Sequence, residues 1–114
     1  MLKKHLRLVK QKDFENVFDK GRYFTEDFLS LKVVKNNLDN FRFGFIVSNK
    51  ISKKAITRNR IKRLLRESIR LLHKDIKPGF DGVFVSKNKA VDKSFGEINL
   101  CVEKLLKRSG LFVK

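Results

Sequence analysis

The chain has no tryptophan, one cysteine, one proline, one tyrosine and two histidines in 114 residues, and each shortage closes off a class of function. A single cysteine, Cys101, cannot build an intramolecular disulfide framework, which fits a reducing cytoplasm. Its place beside the apolar stripe of the last predicted helix makes it a buried, inert thiol. His5 and His73 each lack a second His or a Cys at metal-ligand spacing, so a surface or phosphate-contacting role suits both. Acids are scarce as well: 12 Asp and Glu face 28 Lys and Arg, a net charge of +16. The adjacent pair Glu26-Asp27 precedes a strand with no partner acid nearby, which favours a solvated loop over a magnesium site. No glycine-rich phosphate loop and no nucleophile motif occurs, so neither side-chain catalysis nor a small-molecule substrate is expected. No apolar run is long enough to span a bilayer. The opening M-L-K-K-H-L-R-L-V-K lacks the continuous apolar stretch of a secretory signal.

What is present points to a polyanion. At this length the chain is a single domain over 1–114, with a basic, partly tied arm at 1–12. Self-repulsion at +16 costs stability unless a polyanion is bound, and nucleic acid leads over an acidic membrane surface. The charge is concentrated in residues 50–74, which hold ten Lys or Arg and one acid, Glu67. From Ile61 the apolar residues fall at 61, 64, 65, 69 and 72, one stripe of a helix. Lys62, Arg63, Arg66 and Arg70 project from the other side, with Asn59 leading into that face. Charged helix faces are usually only solvated, but ordinary ones mix signs to limit repulsion. This one does not, so RNA or DNA is its expected partner. Ser52 and Thr57 are both candidate caps for its start.

Around that helix the remaining elements follow in order. Asp13 is placed to cap a short helix bearing Phe14, Val17 and Phe18 at i, i+3, i+4, with Gly21 ending it in a left-handed conformation. On composition the two Phe read as a core stripe. Residues 28–35 alternate, Leu29, Leu31 and Val33 one way and Phe28, Ser30, Lys32 and Val34 the other, as in a strand. The turn 36–40 leads to a second strand over 41–48, predicting an antiparallel hairpin. Gly44 in that strand marks either a close approach or a packing bend. The segment 77–79 stops the basic helix, 81–87 reads as a buried strand, and Ser94-Phe95-Gly96-Glu97 is a capping box opening a last helix closed by Gly110. The sum is an α+β fold: a small two-layer sandwich with about four strands and three helices.

The tripeptide Arg58-Asn59-Arg60, within K-K-A-I-T-R-N-R-I-K-R-L-L-R-E, closely resembles the R-N-R motif of the protein-subunit family of bacterial ribonuclease P. D-F-E-N-V-F-D-K-G at 13–21 resembles that family's first helix, R-F-G-F-I-V-S-N-K at 42–50 its central strand, and the capped last helix its final one. The resemblance implies a left-handed crossover around the basic helix and a partnership with ribonuclease P RNA, which removes the 5′ leader of precursor tRNA. Magnesium would be held mainly by that RNA. By the same resemblance Lys53, Lys54, Arg58, Asn59, Arg60, Lys62, Arg63 and Arg66 would contact the catalytic RNA, with Arg70 extending the face. Phe14 and Phe18 would line a cleft for the single-stranded leader, a positive groove with aromatic platforms. Where many relatives carry a leader-facing Tyr this chain has Leu31, and Phe28 or Tyr23 would substitute. A ribosomal or RNA-chaperone protein is the competing reading, and a self-sufficient nuclease lacks the acids or histidines it would need.

Overall fold

The computed structural model describes residues 2–47 and 54–113. In chain order the elements are α1 (Gln11–Lys20), β1 (Arg22–Glu26), β2 (Leu29–Lys35), β3 (Arg42–Val47), α2 (Ala55–Leu72), β4 (Phe80–Ser86) and α3 (Phe95–Arg108). Short 3-10 turns lie at Lys4–Leu6, His73–Asp75 and Asn88–Asp92. Four strands form one mixed sheet in the order β1-β2-β4-β3, with β3 and β4 parallel and the other pairs antiparallel.

The fold class is the expected α+β sandwich, but the predicted hairpin between the strands at 28–35 and 41–48 does not form. β4 lies between them. Its Asp81, Val83, Phe84 and Ser86 are all buried, and a strand buried on both faces has to sit inside a sheet. Asn36 and Asn40 fix the insertion: the Asn36 amide donates to Gly79 O at 3.0 Å and the Gly79 amide to Asn40 O at 3.2 Å. The hairpin that does form is β1–β2, turning through Asp27 at φ 48°, a left-handed conformation that Asp tolerates. Arg22–Glu26, with its exposed, polar edge, did not read as a strand in the sequence.

The sheet's two faces are covered differently. Leu29, Leu31, Val33, Phe43 and Phe84 face α2 and α3, meeting Ile61, Leu65, Ile69, Ile98, Val102, Leu105 and Leu106 in the main core. Ser68 is buried between the two helices and donates to Asn99 Oδ1 at 2.7 Å. On the other face α1 covers part of the sheet through Val17, which packs with Leu8 and Val83. The arm ahead of α1 is drawn in too, with Leu2, Leu6 and Leu8 buried. The Leu8 amide donates to Phe43 O at 2.9 Å along the edge of β3.

Several local expectations hold and others shift. The capping box is complete: Glu97 N donates to Ser94 Oγ at 3.2 Å and Ser94 N to Glu97 Oε1 at 3.1 Å. Gly110 closes α3 at φ 78°. At α1 the N-cap is Lys10, not Asp13, and Gly21 has φ −74°, outside the left-handed region. Gly21 is needed for space instead, since a Cβ there would lie 2.3 Å from Val17 O. α2 starts after Lys54 with no side-chain cap bond, so Thr57 is not its cap; Ser52 lies outside the described residues.

Candidate nucleic-acid interface

Residues spaced by three and four on α2 divide it into three arcs. The first is the core stripe. The second points toward the edge of β3 and holds Lys62 and Arg66, half-buried beside Phe14, Phe45, Gly44 and Arg7 of the arm in a groove of about 170 Å³. Three cations therefore converge on one small recess. The Arg7 Nε is buried there with no hydrogen-bond partner among the described residues, a donor whose desolvation is uncompensated within the chain.

The third arc is outward. Asn59, Arg63 and Arg70 are exposed. Arg70 is ion-paired with Glu67 one turn back, its Nε 3.0 Å from Glu67 Oε1. The bond from Arg70 holds the Glu67 carboxyl below its usual range and raises the guanidinium's own pKa. The single acid of the basic segment thus neutralises its last arginine. Arg60 is turned toward α3, where its Nη2 donates to Lys93 O at 3.1 Å. Arg58 is half-buried in the first turn of α2 and Lys54 is exposed ahead of it. Lys53 lies outside the described residues. The predicted basic set is therefore spread over three directions rather than one plane.

The aromatic set separates more sharply. Phe14 and Phe18 lie one turn apart on α1 and line a groove of about 460 Å³ with Val9, Gln11, Glu15 and Ile46. Phe18 is 38% exposed while Phe14 is half-buried, its ring lying over Gly44 where a Cβ would approach Phe14 Cε1 to 2.4 Å. Gly44 thus marks a close approach. Phe28 and Leu31 do not join this groove. They are 2% and 0% exposed in the main core on the opposite side of the sheet, so neither offers a surface to a single strand; their expected leader role is corrected. Leu31 is one residue out of phase, and on β2 the side chain facing α1 is Lys32. Its Nζ donates to Phe18 O at 2.8 Å and lies 5.6 Å from the centre of the Phe18 ring.

Sequence reasoning missed Arg7, Lys32 and Phe45. The alternation of β2 already separates Lys32 from the Leu face, but nothing local to Arg7 or Phe45 shows that the arm and β3 would frame Lys62 and Arg66. One relation follows from the geometry: Val9 and Phe14 line both grooves, so the cationic recess and the aromatic channel adjoin at the Phe14 ring. Among the described residues no group of three or more His, Cys, Asp or Glu gathers to hold a metal ion. Among the same residues no helix is long and apolar enough to cross a membrane.

A family model described as Ribonuclease P matches residues 2–110. The ribonuclease P protein component of Clostridium novyi (strain NT) is 42% identical over 113 residues, 97% of this chain and 99% of its own length. The solved RNase P protein of Staphylococcus aureus aligns with a TM-score of 0.85 at 30% identity, covering 94% of this chain and 97% of that one. The RNase P protein of Thermotoga maritima gives 0.82 at 31%, covering 90% and 96%.

Proposed function

The chain belongs to the bacterial ribonuclease P protein family, and from that membership we propose that it binds ribonuclease P RNA and the 5′ leader of precursor tRNA, assisting the RNA's magnesium-dependent removal of the leader. Membership makes it the protein part of a tRNA-processing ribonucleoprotein endoribonuclease. The finer assignment rests chiefly on one observation, that Phe14 belongs to both the cationic recess and the aromatic channel. An RNA docked on α2 through Lys62, Arg63 and Arg66, with Lys54, Arg58, Asn59, Arg60 and Arg70 at its margins and Lys53 assigned to the same partner by resemblance alone, would lie next to a strand held by Phe14 and Phe18. Arginine and lysine supply donors to phosphate oxygens, and exposed rings supply faces on which bases of any identity stack.

The protein's share of the reaction is binding and orientation. Holding the leader extended beside α1 fixes the cleavage point relative to the docked RNA, the entropic part of catalysis. Magnesium is assigned to the RNA in this reading, as the family resemblance implies, and the protein's residues bind and orient. The site of action is the cytoplasm.

Cleavage of precursor tRNA by a bacterial ribonuclease P RNA at low magnesium, with and without the protein, tests this. Stimulation by the protein supports it. A well-folded preparation that gives none would overturn it, as would protein that cuts precursor tRNA with no RNA present.

A further inference from the structure

The C-terminal end of α2 opens on a groove of about 430 Å³ that shares no residue with the cationic recess or the aromatic channel. Leu6 of the arm, Phe41 just ahead of β3 and Ile76 make its floor, all three buried in the main core. His73, Lys74 and Pro78 stand exposed around it. These segments are distant in sequence and are tied to one another. The Asn40 side chain donates to the His5 and Phe41 carbonyls at 3.0 and 3.2 Å. The Gly79 amide donates to Asn40 O at 3.2 Å, and the Ile76 amide to His73 O at the same distance. A recess braced in this way is preformed, and its volume falls within the range of ligand sites, roughly 300–1,000 Å³.

The His73 imidazole selects the occupant. It stands at 83° to the Phe41 ring with the centroids 5.1 Å apart. Whichever ring supplies the edge, at least one imidazole face is left clear of Phe41, on a side chain that is exposed. The rim is mainly cationic: Lys74 lines the groove, Lys77 is exposed between Ile76 and Pro78, and Asp39 is the one acid among the lining residues. The groove also continues the outward arc of α2. Lys74 lies one turn past Arg70 and about 17 Å along the axis from Arg63. Arg70, between them, is spent on Glu67. An RNA lying on Arg63 therefore meets the next outward cation not held by an acid, Lys74, at the lip of an apolar groove.

We propose that this groove takes one unpaired base of the catalytic RNA, stacked on the His73 imidazole above the floor of Leu6, Phe41 and Ile76, with Lys74 on an adjoining phosphate. This extends the RNA-docking reading of α2 and rests on it. An unstacked nucleotide matches both parts of the site, since its base needs a face to stack on and its backbone needs a cation. An apolar peptide would leave the lysines unused, and a duplex has its bases already stacked. Two anchors about 17 Å apart fix the angle at which α2 lies on the RNA, where a single anchor would let the helix pivot.

The test is binding to a bacterial ribonuclease P RNA, read by affinity and by probing unpaired bases with dimethyl sulfate and a carbodiimide. Wild-type protein shields an unpaired base that becomes reactive in His73→Ala while the rest of the footprint stays. His73→Ala weakens binding roughly five- to a hundredfold, the range for one missing stack. His73→Phe restores both, because the ring face carries the contact. Lys74→Gln lowers the salt slope by roughly 0.7, the share of one single-strand phosphate. Its side chain is exposed, so this variant decides the matter should His73→Ala lower the unfolding midpoint. If both variants keep the wild-type affinity, slope and footprint, the groove holds no base. If His73→Ala changes the sedimentation of the free protein and leaves RNA affinity alone, the occupant is a second copy of the chain and the proposal is overturned. Wild-type protein that leaves no footprint anywhere on the RNA would instead overturn the docking reading itself, and this extension with it.

Discussion

Arg42 and Asp81 grip each other in register across the parallel strands β3 and β4, Nε donating to Oδ1 at 2.9 Å and Nη2 to Oδ2 at 2.6 Å. Asp81 is 3% exposed and also accepts from Asn36 Nδ2 at 2.8 Å. The bond to Asp81 is the main reason the Arg42 guanidinium is held above its usual pKa. Asp13 of α1 reaches the same guanidinium at 3.5 Å, so one arginine ties the first helix to the two strands whose pairing the crossover creates.

Removing Arg42 strands a buried carboxylate. Arg42→Ala is expected to cost about 3 kcal/mol, in the range for breaking a buried pair from one side. Asp13→Ala, which removes only the longer and more exposed ion pair, costs under about 1 kcal/mol. Urea unfolding of the two variants checks the ratio, and equal losses would mean the pair is no more than a surface bridge.

Gly44→Ala pushes a methyl into the Phe14 ring, 2.4 Å from the nearest carbon. The expected destabilisation is about 1–3 kcal/mol, with leader affinity falling as the ring is displaced. In a Phe14→Ala background the same change should cost little, because the obstacle is gone. Phe14→Ala alone should lower leader affinity by about 1–3 kcal/mol if a base stacks there. A double-mutant cycle on stability and on leader binding reads both couplings.

Arg63→Ala and Arg66→Ala separate the two arcs of α2. For every phosphate that a substitution releases, the slope of log affinity for the catalytic RNA against log salt should fall by roughly 0.9, or by roughly 0.7 where that phosphate lies in a single strand. Arg70→Ala should move the slope less, since Glu67 already offsets that charge. An unchanged slope in Arg66→Ala would mean the recess beside Phe14 does not face phosphate.

Acid should loosen the start of α3. The backbone amide of Ser94, and next its hydroxyl, hold the Glu97 carboxyl below its ordinary 4.5. A depressed carboxylate contributes stability that is in full force above the unfolded value and fades as pH falls through the folded one. Glu97→Gln keeps the acceptor but not the titration. The gap in unfolding midpoint between wild type and variant should therefore narrow from pH 7 toward pH 3.

Cys101 should resist alkylation. Burial is the first cause that pushes its thiol up to about 11, with Asp27 and Glu26 adding to it. Its Sγ donates to Glu26 O at 3.1 Å. At pH 8 the thiolate is roughly one part in a thousand, so iodoacetamide should label the folded protein far more slowly than the urea-unfolded chain. Equal rates would refute the buried placement.

Local chemistry was legible in the sequence where a residue's role is decided by neighbours within a turn or two. The Ser94–Glu97 box, the stripe of Ile61, Leu65 and Ile69, and Gly110 all follow from that. Strand partnership was not, because nothing near Phe41 announces that β4, forty residues on, will insert beside it. Likeness to the family gives Leu31 to the leader, although its alternation with Leu29 and Val33 places it in the core. Arg60 reads as one more outward cation until the segment leading into α3 supplies the Lys93 carbonyl it binds. Phe14 needed both periods at once, helical for its own face and strand-like for the gap above Gly44.

The arm that runs along β3 has a consequence for keeping copies of the chain apart. An edge strand is a template for another molecule's backbone, and β3 is one of the two edges of this sheet. While the chain is free, a net charge of +16 holds like molecules away. Once RNA neutralises that charge, repulsion no longer serves, and the protection left at β3 is physical: the Leu8 amide already occupies the Phe43 carbonyl. Trimming the arm should then matter most in the assembled particle, as aggregation that begins when RNA is added.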